Sequence, residues 1–98
     1  MDYFCNDYSN DLAFLMFKDL DSWEYKNKAI SKTFEFSSYL SGVNFLSKVA
    51  SLAEKLNHHP DMTLTWCKVH IVLTTHDSGD VTDKDAALAK LCDQHFKG

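Results

Sequence analysis

His58 and His59 stand side by side, Pro60 follows them, and His76 closes a run of alternating apolar residues. Histidine is the side chain that most readily gives and takes a proton near neutral pH. Imidazoles held on a rigid frame can protonate a leaving oxygen and accept a proton elsewhere on the same substrate, which is general acid–base chemistry. Two carboxylates bracket the group. Glu54 lies one helical turn before His58, where it serves either helix solubility and a simple i,i+4 contact or the orientation of His58. Asp85 lies three residues after Thr82, the spacing of a capping box with Asp in place of Glu, and reads first as a structural cap. A lone surface histidine is ordinarily just solvated, so His70 and His95 are read as structural. Cys67 and His70 are three apart, but no standard Cys/His pairing completes a zinc set, and no metal is expected.

The elements that must position these groups follow from periodicity. Asn10 can cap a short helix over residues 10–20, in which Leu12, Leu15, Met16 and Leu20 recur at helical spacing. Phe14 and Phe17 widen its apolar surface, so that surface belongs to the core or to a contact with another subunit. Residues 23–26 form a candidate strand, Asn27-Lys28 a turn, and residues 29–36 a second strand, with Ile30, Phe34 and Phe36 on one face and Lys32 interrupting it. Ser37 or Ser38 can cap a long helix running to about Asn57, with Leu46, Val49, Ala50, Ala53 and Leu56 as its buried stripe and Tyr39 and Val43 extending it backwards. Pro60 forbids continuation, so His58-His59-Pro60 sits at the helix exit. Residues 64–68 and 69–75 are the next strands, with Val69, Ile71 and Leu73 facing one way. Trp66 reads as core packing. Asp77-Ser78-Gly79-Asp80 is a turn, and Thr82 caps a last helix that carries Leu88, Leu91, Cys92 and His95 on one face. The order predicts an α+β two-layer sandwich, a four-stranded antiparallel sheet with helices on one face.

The bulk numbers narrow the function. Ninety-eight residues with 45% hydrophobic and 13% aromatic content make a single globular domain over 1–98. Ten Lys plus Arg against 14 Asp plus Glu give a net charge of −4, and no basic cluster is present, which argues against direct nucleic-acid binding. No apolar run reaches the ~18–20 residues of a membrane span. Met1-Asp2-Tyr3-Phe4 does not begin a secretory signal, and three scattered cysteines, Cys5, Cys67 and Cys92, argue for a reducing compartment. A core this small is marginal, so association with copies of itself would help it.

In this frame the sequence resembles the pterin-4a-carbinolamine dehydratase family. The resemblance is carried by Glu54, three residues, His58-His59-Pro60, five residues, Trp66, nine residues, His76, eight residues and Asp85. The strand Val69-His70-Ile71-Val72-Leu73-Thr74-Thr75-His76 and the helix start Asp85-Ala86-Ala87-Leu88-Ala89 agree as well. The similarity runs from about Trp23 to Phe96.

The resemblance implies a lyase. Family members remove water from the 4a-hydroxytetrahydropterin left by aromatic amino-acid hydroxylases and give quinonoid dihydropterin, a step of tetrahydrobiopterin recycling, with no cofactor. It implies His58, His59 and His76 as active-site histidines, with His58 and His76 moving protons and His59 mainly holding the pterin. It implies substrate contacts from Asn57, His58, His59, Thr74, Thr75, His76 and Asp77, with Glu54, Pro60 and Asp85 in support. Asn57 departs from the Asp more usual in the family, which removes a charge beside His58. The resemblance further implies a homodimer or homotetramer and a cytoplasmic location, with a nuclear one where animal relatives partner a transcription factor. That coactivator role gives the rival reading, a non-catalytic module that binds a helical protein partner. A pterin sensor or storage protein is a third.

Overall fold

The structure, a computed structural model, describes residues 22–96, and the helix expected over residues 10–20 lies outside them. Strand β1 (Glu24–Lys26) and strand β2 (Ala29–Glu35) form an antiparallel hairpin. Asn27 and Lys28 turn it with φ of 55° and 62°. Positive φ at both central residues gives a turn whose twist matches that of the strands, and asparagine adopts it at little cost. The expected turn is therefore present.

Helix α1 (Tyr39–Leu56) starts at Ser38, whose hydroxyl accepts the Ser41 N–H at 3.2 Å. Strands β3 (Asp61–Thr65) and β4 (Lys68–Leu73) follow, and helix α2 (Asp83–His95) closes the described chain. The sheet is antiparallel throughout, in the order β1-β2-β4-β3, so the chain returns to insert β4 beside β2. Both helices cover one face. Phe34, Val69, Ile71 and Leu73 of the sheet meet Phe45 and Val49 of α1 and Leu88 and Cys92 of α2 in one core. Phe34, Phe36, Phe45 and Phe96 stack there in tilted and edge-on pairs with centroids 4.8 to 5.9 Å apart. The predicted α+β sandwich is the observed architecture.

Three readings of the sequence need correction. First, the buried stripe of α1 is Gly42, Phe45, Val49 and Ala53, while Tyr39 and Leu56 are 47% and 43% exposed. The stripe centres on Phe45 because the aromatic cluster draws that side of the helix inward. Second, β3 begins at Asp61 and ends at Thr65, with Trp66 and Cys67 as the turn into β4. Neither turn residue is a Gly, Pro, Asn or Asp, so no local signal separated the strands. Third, Trp66 is 78% exposed and not core, because it stands on that turn. Lys32 does interrupt the apolar face of β2. Its ammonium lies 4.9 Å from the Phe34 ring centroid and pairs with Asp93 at 2.7 Å, and Asp93 also accepts the Trp23 indole N–H at 3.1 Å. A cation is tolerated at the edge of the core because a ring face and a carboxylate both receive it.

Cys92 is fully buried, and burial, aided by the neighbouring Asp93 carboxylate, pushes its thiol up from 9.0 to about 12. The thiolate is the reactive form. Thiol reagent at mildly alkaline pH is therefore expected to leave Cys92 unmodified until the protein is denatured, as peptide mapping would show. Since the folded value is raised, the stability this proton confers is complete below 9.0 and is lost as pH rises toward about 12. Labelling of Cys92 in the folded protein at the rate of a free thiol would contradict this. Among the described residues no helix is long and apolar enough to cross a membrane.

Candidate active site

The ends of three elements converge on one cleft. Helix α1 stops at Asn57, which takes the left-handed conformation (φ 52°, ψ 44°). The His58 N–H then returns to the Ala53 carbonyl at 3.0 Å, a bond that closes the helix end. Asparagine is one of the few residues that occupies this region cheaply, so Asn57 suits the helix end. The exit throws His58 and His59 out of the helix, and Pro60 keeps them out, as expected.

Strand β4 supplies the second edge. Thr75 pairs with Asp80 across the turn that follows, and Gly79 takes a φ of 69° there. Asp80 is held in turn by the Tyr25 hydroxyl at 2.7 Å. His76 and Asp77 project from the start of this turn and are exposed. The third edge is the first turn of α2.

Asp85 joins all three. Its side chain is completely buried. One oxygen, Oδ2, accepts the Thr82 N–H at 2.9 Å and the Thr75 hydroxyl at 2.7 Å. The other, Oδ1, lies 2.6 Å from Nε2 of His58, a ring that is only 10% exposed. The Thr82 hydroxyl reaches Thr75 Oγ1 at 2.7 Å, so the chain of donors runs from Thr82 through Thr75 into the carboxylate. The predicted capping box is present. Asp85 caps α2 and grips His58 at once, where its position in the sequence favoured the cap. With Asp85 as carboxylate, Nε2–H is the donor, and Nδ1 is the His58 nitrogen left for other chemistry.

Glu54 is bound to His59, not to His58, with Oε1 and Nε2 2.5 Å apart on the surface. The bend after Asn57 turns His58 inward and leaves His59 over the last turn of the helix.

The cleft holds about 320 Å³ and is lined by Asn57, His58, His59, Thr74, Thr75, His76, Asp77 and Lys84. All seven residues expected to contact a ligand lie on it together. The sequence reading missed Lys84. No motif marks it, and its one signal was adjacency to Asp85 in the first turn of α2. The threonine side chains are less available than their positions imply. Thr74 donates its hydroxyl to the Lys28 carbonyl at 2.7 Å and Thr75 to Asp85, so ligand contacts there fall to the backbone or to oxygen lone pairs. His70 pairs with Thr33 at 2.7 Å on the open face of the sheet and does not line the cleft. Among the described residues, no three His, Cys, Asp or Glu side chains converge as a metal site.

A family model described as pterin 4 alpha carbinolamine dehydratase matches residues 8–95. A Natronomonas pharaonis protein named "Putative pterin-4-alpha-carbinolamine dehydratase" is 48% identical over 73 residues, covering 74% of this chain and 79% of that one. A protein of the same name from Prochlorococcus marinus is 47% identical over 73 residues, 74% of this chain and 77% of that one. Among solved structures, a transcriptional coactivator/pterin dehydratase from Brucella melitensis superposes with a TM-score of 0.80 at 28% identity, over 85% of this chain and 90% of that one. A pterin dehydratase-like protein identified as a RuBisCO assembly factor in the alpha-carboxysome gives a TM-score of 0.61 at 26% identity, over 74% and 83%.

Proposed function

The chain belongs to the pterin 4 alpha carbinolamine dehydratase family, and on that premise we propose that it dehydrates 4a-hydroxytetrahydropterin to quinonoid dihydropterin. The observation that carries the reading is the cleft on which His58, His59 and His76 meet, with His58 held by a buried carboxylate.

The reaction breaks the C4a–O bond and removes the proton from N5. The departing oxygen needs a proton so that it leaves as water, and N5 must give one up. A protonated imidazole can supply the first and a neutral imidazole can accept the second, so two histidines suffice. His58 and His76 carry these roles. His58 exchanges its proton through Nδ1 while Asp85 fixes the ring and stabilises it when it is charged. His59, drawn aside by Glu54 and largely exposed, holds the pterin instead. Asp77 and the backbone of residues 74–77 offer acceptors and donors to the amide-like edge of the ring system.

The test is stopped-flow absorbance on freshly generated 4a-hydroxytetrahydropterin. Wild type should accelerate dehydration well above the spontaneous rate, and His59→Ala should act mainly on KM. No acceleration by folded protein would remove the enzyme reading. A loss in His59→Ala as complete as in His58→Ala would undo the division of roles. The second reading, a binding module, draws on the coactivator and assembly-factor names of two structural relatives. It predicts capture of a helical partner by a protein without turnover, and nothing in such a role requires an imidazole gripped by a buried carboxylate.

A further inference from the structure

We propose that Lys84 makes this cleft selective for pterins whose substituent carries an anionic group, a phosphate or a carboxylate. The inference rests on the reading of the cleft as a pterin site and adds what the substituent must be. Among the described residues lining the cleft, Lys84 alone carries a fixed positive charge. Helix stability does not account for it. The first turn of a helix favours negative charge, and Asp83 and Asp85 obey that rule while Lys84, between them, opposes it. Nor does an ion pair: no carboxylate of the described residues is paired with the Lys84 ammonium, and Asp85 is already engaged by Thr75, Thr82 and His58. Chemistry at the bicyclic head does not call for it either. Positive charge builds toward N5 as the C4a–O bond breaks, and a fixed cation there would oppose the step. The substituent starts at C6, one bond from N5, and extends outward from the ring, so the cation is useful where an anionic group on that substituent would meet the wall formed by the first turn of α2.

Pterins fluoresce, so binding can be read without turnover. Wild type, Lys84→Gln and Lys84→Arg would be titrated with neopterin and neopterin monophosphate, which differ only in the phosphate. Pterin and pterin-6-carboxylate form the parallel carboxylate pair. Wild type should bind the anionic member of at least one pair roughly fivefold more tightly, the upper range for an exposed ion pair. The pair that shows the preference identifies the anion. The advantage should shrink with added salt, disappear in Lys84→Gln and persist in Lys84→Arg, with melting temperatures showing that all three are folded. Equal binding within both pairs by wild type, or a preference that survives in Lys84→Gln, overturns the inference while leaving the pterin site intact. Failure of wild type to bind neutral and anionic pterins alike overturns the pterin reading and the selectivity with it.

Discussion

Asp85→Ala is expected to cost both stability and turnover, because one buried carboxylate serves three partners. Its removal strands the Thr82 N–H, the Thr75 hydroxyl and the His58 ring around an empty space. A lost cap costs about 1 kcal/mol, and each buried polar group left unpaired about 1–3 kcal/mol, so a total near 3–5 kcal/mol is expected once the site relaxes. That is a large fraction of the stability of a small domain, so Asp85→Ala should be only marginally folded at room temperature. Asp85→Asn is the sharper variant. It keeps the volume, but its amide nitrogen cannot accept from the donors that now converge on the carboxylate. Where that nitrogen faces Nε2 of His58, it donates and reverses the tautomer. Turnover should fall roughly 100-fold or more even where the protein stays folded, since a reversed tautomer disables the acid–base group. The loss should fall on kcat with KM nearly unchanged, a readout that a purely structural cap would not move. Full turnover in folded Asp85→Asn would confine Asp85 to the cap.

His76→Ala should lower kcat by about 10²–10⁴-fold at nearly unchanged melting temperature, because His76 is exposed and general acid–base assistance has that magnitude. His58 requires a different substitution. Alanine would leave Oδ1 of Asp85 without its ring partner, whereas His58→Gln can still offer an N–H to the carboxylate while providing no group that titrates near neutrality. The same loss of kcat is expected. Combining His58→Gln with His76→Ala should cost far less than the product of the single effects, because a proton donor to the departing oxygen and a proton acceptor for N5 that serve one elimination step fail together. Substantial turnover in either folded single variant would show that its imidazole is not a proton carrier. Strict multiplicativity would show that the two act in separate steps.

Much of this architecture was legible before any coordinates. Proline at 60 had to end α1, whatever packed around it, because its ring excludes helix. Thr82 and Asp85 had to cap α2, because their spacing matches the orphan donors of a helix start. Alternation at Val69, Ile71 and Leu73 fixed which face of β4 is buried. These are local constraints, set by dihedral angles and by the period of an element. The three histidines and the family they indicate belong to the same class, since fixed spacing within elements of fixed period carries them to the same end of the fold.

What local chemistry could not decide is which side chains meet. Glu54 is nearer in sequence to His58 than to His59, yet the left-handed turn at Asn57 gives it the outer ring. Asp85 is 27 residues from His58. Only the crossing of α1 over the sheet, with β4 inserted beside β2, brings the two together. Trp66 looked like core because its type is apolar, yet the hairpin it turns ends in solvent. Lys84 had no motif, and it became part of the cleft through the direction in which α2 starts. Sequence determines the elements and their faces because those depend on neighbours a few residues apart. The tertiary structure decided the partners, because a hydrogen bond depends on ångströms and the chain supplies those only when its elements have docked.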